Sequence, residues 1–142
     1  MNKTYINEEN IKEDYCTYEI SKLLQKKGFK IGVGGMYVNS DNVFMTSHYA
    51  DLTLSLEDSI HFDEIFTPTC TIQTAIKWLR LAHKVYISIR YVPSSKVDNI
   101  DSCYVVDIFN ENERKWVPNS IVGNNFETTA EESLKLCLTE LI

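Results

Sequence analysis

A chain of 142 residues, 44% apolar and 24% charged, has the size and make-up of one ordinary globular domain, and its 5 glycines and 3 prolines leave no room for a long flexible linker. A formal net charge of −6 sets it against phosphate backbones and anionic lipid surfaces, and no apolar run approaches the roughly 20 residues of a membrane span. A disordered or fibrous chain is excluded, and the partners expected are neither nucleic acid nor membrane.

The four cysteines, Cys16, Cys70, Cys103 and Cys137, are far apart, without C-x-x-C or Cys/His zinc spacing, and read as small apolar fillers. The opening MNKTYINEENIKEDY has no apolar signal region, so a reducing cytoplasm with free thiols is expected.

In chain order, residues 1–9 are polar. Cys16, Ile20, Leu23 and Leu24 then recur at i, i+4, i+7 and i+8, which predicts an amphipathic helix from Ile11 to Lys27. Gly28 stands where a left-handed residue would end it, with Phe29 ready to fold back on the last turn. The glycine-dense stretch from Ile31 to Val38 follows a helix and leads into strand-like residues. A phosphate cradle needs the reverse order, so a turn, bulge or bent edge strand is expected. Asn39 to Asn42 is a turn, Val43 to Ser47 a short strand, and Asp51 to Leu56 alternates as another. Glu57, Asp58, Asp63 and Glu64 surround His61 in an acidic segment, loop or helical turn, that closes at Thr67-Pro68; Thr69 or Thr71 then caps the next helix.

The stretch from Thr69 to Val92 carries both periods that specify the fold. Ile72, Ala75, Ile76 and Leu79 form one helical stripe, and Val85, Ile87, Ile89 and Tyr91 alternate with Tyr86, Ser88, Arg90 and Val92 in a strand. Cys103 to Phe109 predicts a second strand, paired antiparallel with the first through a long loop, and Lys115 to Val117 a third. Thr128-Thr129-Ala130-Glu131 matches the S/T-x-x-E capping box ahead of Leu134, Cys137, Leu138 and Leu141, predicting a helix from Thr129 onward. The order predicts a single α+β domain over 1–142: a mostly antiparallel sheet centred on residues 85–91, with two or three helices packed on one face.

The candidate sites follow from this frame. His48, His61 and His83 are the residues to test for acid–base or metal chemistry, but His61-x-Asp63 lacks a third ligand at a supporting spacing, so no metal is expected. His83 closes the central helix, where it complements the dipole. Lys22, Lys26, Lys27 and Lys30, and likewise Lys77, Arg80 and Lys84, read as solvated faces near helix ends. Cys70, at a helix start, is the thiol best placed for a nucleophile, whereas Cys16 and Cys137 fall on apolar stripes. Trp78 sits one position off the helical stripe. Tyr86, Arg90, Val105, Asp107 and Phe109 share the hairpin face opposite Ile87, Ile89, Val106 and Ile108; with helices on one side only, that face is open.

The phrases Cys16-Thr17-Tyr18-Glu19-Ile20-Ser21-Lys22-Leu23-Leu24 with Lys27-Gly28-Phe29, Pro68-Thr69 with Ala75-x-x-Trp78-Leu79-Arg80, and Thr129-Ala130-Glu131-Glu132-Ser133-Leu134 resemble a loose group of small uncharacterised proteins encoded by phages and mobile elements of gut bacteria. The resemblance implies a small intracellular accessory protein and brings no activity, cofactor or site residue.

The function expected is therefore non-enzymatic protein–protein binding in the cytoplasm, without cofactor, through Trp78, Tyr86, Arg90 and Phe109, to a partner protein or as a homodimer. The alternatives are a small hydrolase or transferase using His61, Asp63 or Cys70, and a binder of small phosphorylated ligands at the glycine stretch.

Overall fold

The computed structural model describes residues 14–30, 35–46, 62–118 and 121–142. Its elements run α1 (Tyr18–Lys26), β1 (Gly35–Val38), β2 (Val43–Thr46), α2 (Phe62–Ile65), β3 (Phe66–Thr69), α3 (Ile72–His83), β4 (Val85–Val92), β5 (Cys103–Asn110), β6 (Lys115–Trp116), β7 (Ile121–Gly123) and α4 (Phe126–Leu136), with π-helical turns over Cys137–Leu141. The fold is α+β with antiparallel pairing throughout these strands.

The strands form two sheets rather than one. A three-stranded sheet has the order β2-β1-β3, and a four-stranded sheet has β4-β5-β6 with β7 also on β5. The glycine stretch accordingly leads into β1, the middle strand of its sheet and not an edge. The acidic segment ends in the single turn α2, and Thr67-Pro68 lies within β3. As an edge strand, β3 tolerates a residue with no N–H. The strand expected over 51–56 lies outside the described residues.

Helix α1 starts at Tyr18, not Ile11, because Thr17 is its N-cap and Tyr15 is extended, bridging antiparallel to Thr71. Its end is as expected: Gly28 takes φ +97°, its N–H reaches Gln25 O at 3.1 Å, and the Phe29 N–H reaches Leu24 O at 3.0 Å, a complete Schellman ending. Phe29 is thereby turned inward and fully buried, edge-on to Trp78 at 5.5 Å between ring centroids.

Helix α3 is capped by Thr71, whose Oγ1 accepts the Thr74 N–H at 3.2 Å, and it buries Ile72, Ala75 and Leu79. Lys84 in the left-handed region (φ 59°) turns the chain directly into β4. Helix α4 is longer at its start than the capping box predicts. Asn125 is the N-cap, accepting the Thr128 N–H at 3.0 Å, so Thr128 is already inside the helix. Asn ranks with Ser and above Thr as a cap, and the earlier position lets Phe126 join the helix and meet Tyr104 edge-on.

One core cluster joins Leu24 of α1, Leu79 of α3, Leu134 of α4, Leu138 beyond it, Val85 of β4, and Val106 and Ile108 of β5. Helices α3 and α4 touch each other and lie on one face of the four-stranded sheet, α3 on β4 and α4 on β5 and β7. Burying each leucine stabilises the fold by about 1.5–3 kcal/mol relative to leaving it exposed. The layer is centred on β5, however; β4 (residues 85–92) is its edge.

Candidate functional site

The outer face of the four-stranded sheet is set by strand parity. In β4, Val85 is buried and Ile87 and Ile89 half-buried under the helices, while Tyr86, Ser88 and Arg90 are exposed on the other side. In β5, Val106 and Ile108 are buried, and Val105, Asp107 and Phe109 alternate outward. Register aligns the outward residues in rows. Tyr86 is opposite Phe109 and Phe109 is opposite Trp116, so three aromatic side chains cross β4, β5 and β6 side by side. Phe109 and Trp116 are in contact with tilted rings, 5.1 Å between centroids. A second row runs Arg90, Val105, Val122 across β4, β5 and β7. Between them Arg90 Nε meets Asp107 Oδ2 at 3.4 Å, a solvent-exposed pair that orients the guanidinium rather than adding much stability.

Tyr86, Trp116 and Val122 are 41%, 63% and 58% exposed, whereas on the opposite face of the same sheet Val85, Val106 and Ile108 are buried and Tyr91, near the end of β4, is 57% exposed. The aromatic row and the Arg90-Val105-Val122 row flank a polar one, Ser88 opposite Asp107, and the aromatic side chains are large rigid groups that desolvate at low entropic cost.

The structure brings Tyr86, Arg90 and Phe109 together on this face and places Trp78 elsewhere. Trp78 is half-buried on the helical side, between Phe29 and His83, with the His83 ring at 4.7 Å. Its position off the main stripe directs it to the α1 end rather than to a groove. Sequence reasoning missed Trp116 and Val122 as members of the face. The signal for Trp116 was available: the turn over 111–114 sets Lys115 opposite Asn110 and hence Trp116 opposite Phe109. Val122 gave none, since β7 is a three-residue strand paired by tertiary contact.

Cys70 is not an exposed helix-start thiol. It is fully buried after β3, and its carbonyl accepts the Cys16 N–H at 2.9 Å. The neighbouring Cys70 thiol, together with burial, holds the Cys16 thiol well above the usual thiol range. Burial pushes Cys137 up to about 12. Cys103, half-buried, faces outward beside Val92. Asp63 stands in α2, while His48 and His61 lie outside the described residues. Among the described residues, no group of three or more His, Cys, Asp or Glu side chains is placed to hold a metal ion, and no helix is long and apolar enough to cross a membrane.

A polar junction locks α1 beside β3. The Ser21 hydroxyl donates to Thr69 Oγ1 at 2.7 Å, Thr69 Oγ1 donates to Cys16 O at 3.3 Å, and the Tyr37 hydroxyl donates to the same carbonyl at 2.7 Å. Burial is the main cause that raises Tyr37 and keeps its phenol protonated. These groups satisfy one another, and none is aimed at open space.

The chain matches no family model, no curated protein and no solved structure.

Proposed function

We propose that this chain is a non-enzymatic accessory protein that acts by binding another protein through the outer face of its four-stranded sheet. The observation that carries this reading is the row Tyr86, Phe109, Trp116, aligned by register and left uncovered by the helices. Tyrosine, tryptophan and arginine are the side chains in which interface energy concentrates, and Tyr86, Trp116 and Arg90 all stand on this face. The resemblance of its helical phrases to proteins of phages and mobile elements supports a setting in a cell that carries such an element, and the acidic, reduced-thiol composition supports a cytoplasmic one.

The test is affinity capture of the tagged full chain from its host, beside a variant carrying Tyr86→Ser and Trp116→Ser. The expected result is a protein held by the wild-type chain and lost from the variant, with the far-ultraviolet spectrum of the two unchanged. A partner retained equally by both would overturn the assignment of this face. A catalytic turnover that survives the double substitution would favour the enzyme reading instead.

A further inference from the structure

The four-stranded sheet ends on β4, and the direction of its backbone groups is set by one bond. Because the Glu111 N–H donates to Lys84 O at 3.0 Å, residues of even number along β4 turn their amides and carbonyls towards β5. Those of Val85, Ile87, Ile89 and Tyr91 therefore point away from the sheet, and among the described residues no strand pairs with them. The strand itself carries few of the usual protections of an edge: β4 spans 8 residues without proline, glycine or bulge, and its one charge, Arg90, lies on the outer face.

We propose that β4 pairs antiparallel with β4 of a second copy of this chain, about a two-fold axis through Ser88, merging the two four-stranded sheets into one. The register follows from hydrogen-bond phase. Outward groups must meet outward groups, so the axis passes through a residue and not between two. Through Ser88, Val85 opposes the partner's Tyr91, Ile87 the partner's Ile89, and Tyr86 the partner's Arg90, a cation beside an aromatic ring with no like charges opposed. An axis through Ile89 would set Pro93, which has no N–H, at a bonding position against Val85; one through Ile87 would oppose Lys84 and Arg90. The same axis keeps the helices of both copies on one side and both aromatic rows on the other. The inference rests on the backbone edge and not on the binding role of the outer face, so either can fail alone.

Light scattering on the full chain should give twice 16.4 kDa. In a Cys103→Ser background, Ser88→Cys should cross-link under oxidised glutathione. Ser88 would oppose its own copy at a closely spaced, non-hydrogen-bonded pair, where antiparallel Cα atoms lie about 4.5 Å apart. Tyr86→Cys should not cross-link, being offset from its own copy by about 13 Å along the strand. Ser88→Lys gains the facing Asp107 within its own sheet but opposes two cations at the axis; it should raise the concentration for half-dimerisation at least about tenfold. A monomer at every concentration up to about 1 mM, or a dimer that fails to cross-link at position 88, would overturn the proposal.

Discussion

The Glu131 carboxylate on α4 accepts the Thr17 backbone N–H at 2.7 Å and the Thr17 hydroxyl at 2.9 Å, so a residue of the last helix caps the first across 114 positions of sequence. Thr17 in turn offers its Oγ1 to the Ile20 N–H at 3.5 Å, a long bond that the carboxylate supplements. The pair sits where the helix dipole favours negative charge and fixes how α1 docks on α4. Glu131→Ala should lower stability by about 1–2 kcal/mol, as loss of an N-cap does, while Glu131→Gln should recover part of it. Urea denaturation of the three proteins, compared at one slope, measures this.

Asn125 and Thr128 make a paired test of where α4 begins. With Asn125 as the cap, Asn125→Ala should cost about 1 kcal/mol, and Thr128→Ala, whose hydroxyl merely donates to Asn125 Oδ1 at 3.2 Å, should cost a few tenths. The reverse ranking in thermal unfolding would restore the capping box as the helix start.

Asp14 lies in a small groove with Glu127 and Glu131 beside the starts of α1 and α4. Partial burial first, and then Glu127, raise its folded-state affinity for a proton above the ordinary value of 3.8. A carboxyl raised on folding contributes stability below its unfolded value and loses that contribution as pH rises through the folded one. Asp14→Asn should therefore make the protein more stable than wild type at pH 7, with the gain shrinking towards pH 3. Urea midpoints at the two pH values decide it; a gain that grows on acidification would contradict the assignment.

Gly123 is the third residue of β7, and a Cβ there would run into the buried Thr129 side chain, whose hydroxyl donates to Asn125 O at 2.5 Å. Gly123→Ala should cost about 1–3 kcal/mol through overpacking. The second substitution Thr129→Ser removes the methyl but keeps the clashing oxygen, so it should give little rescue, whereas Thr129→Ala should give more. A differential melting series reads the difference.

The features legible without coordinates are those whose cause lies within a turn or two of chain. The stripe Ile72, Ala75, Leu79 and the alternation of 85–91 were visible because helix and strand periods bury one side locally. The Gly28-Phe29 ending was visible because only a residue free to take positive φ closes a helix that way. Parity likewise placed Tyr86, Arg90 and Phe109 on a common face. The tertiary structure alone decided the rest: two sheets instead of one, Pro68 inside an edge strand, β7 against β5, Trp78 against Phe29, and β4 at the rim with β5 at the centre. The physical reason is that a strand's period shows which side it buries but not which neighbour fills its hydrogen bonds, and that neighbour is chosen by the packing of distant segments on a shared core.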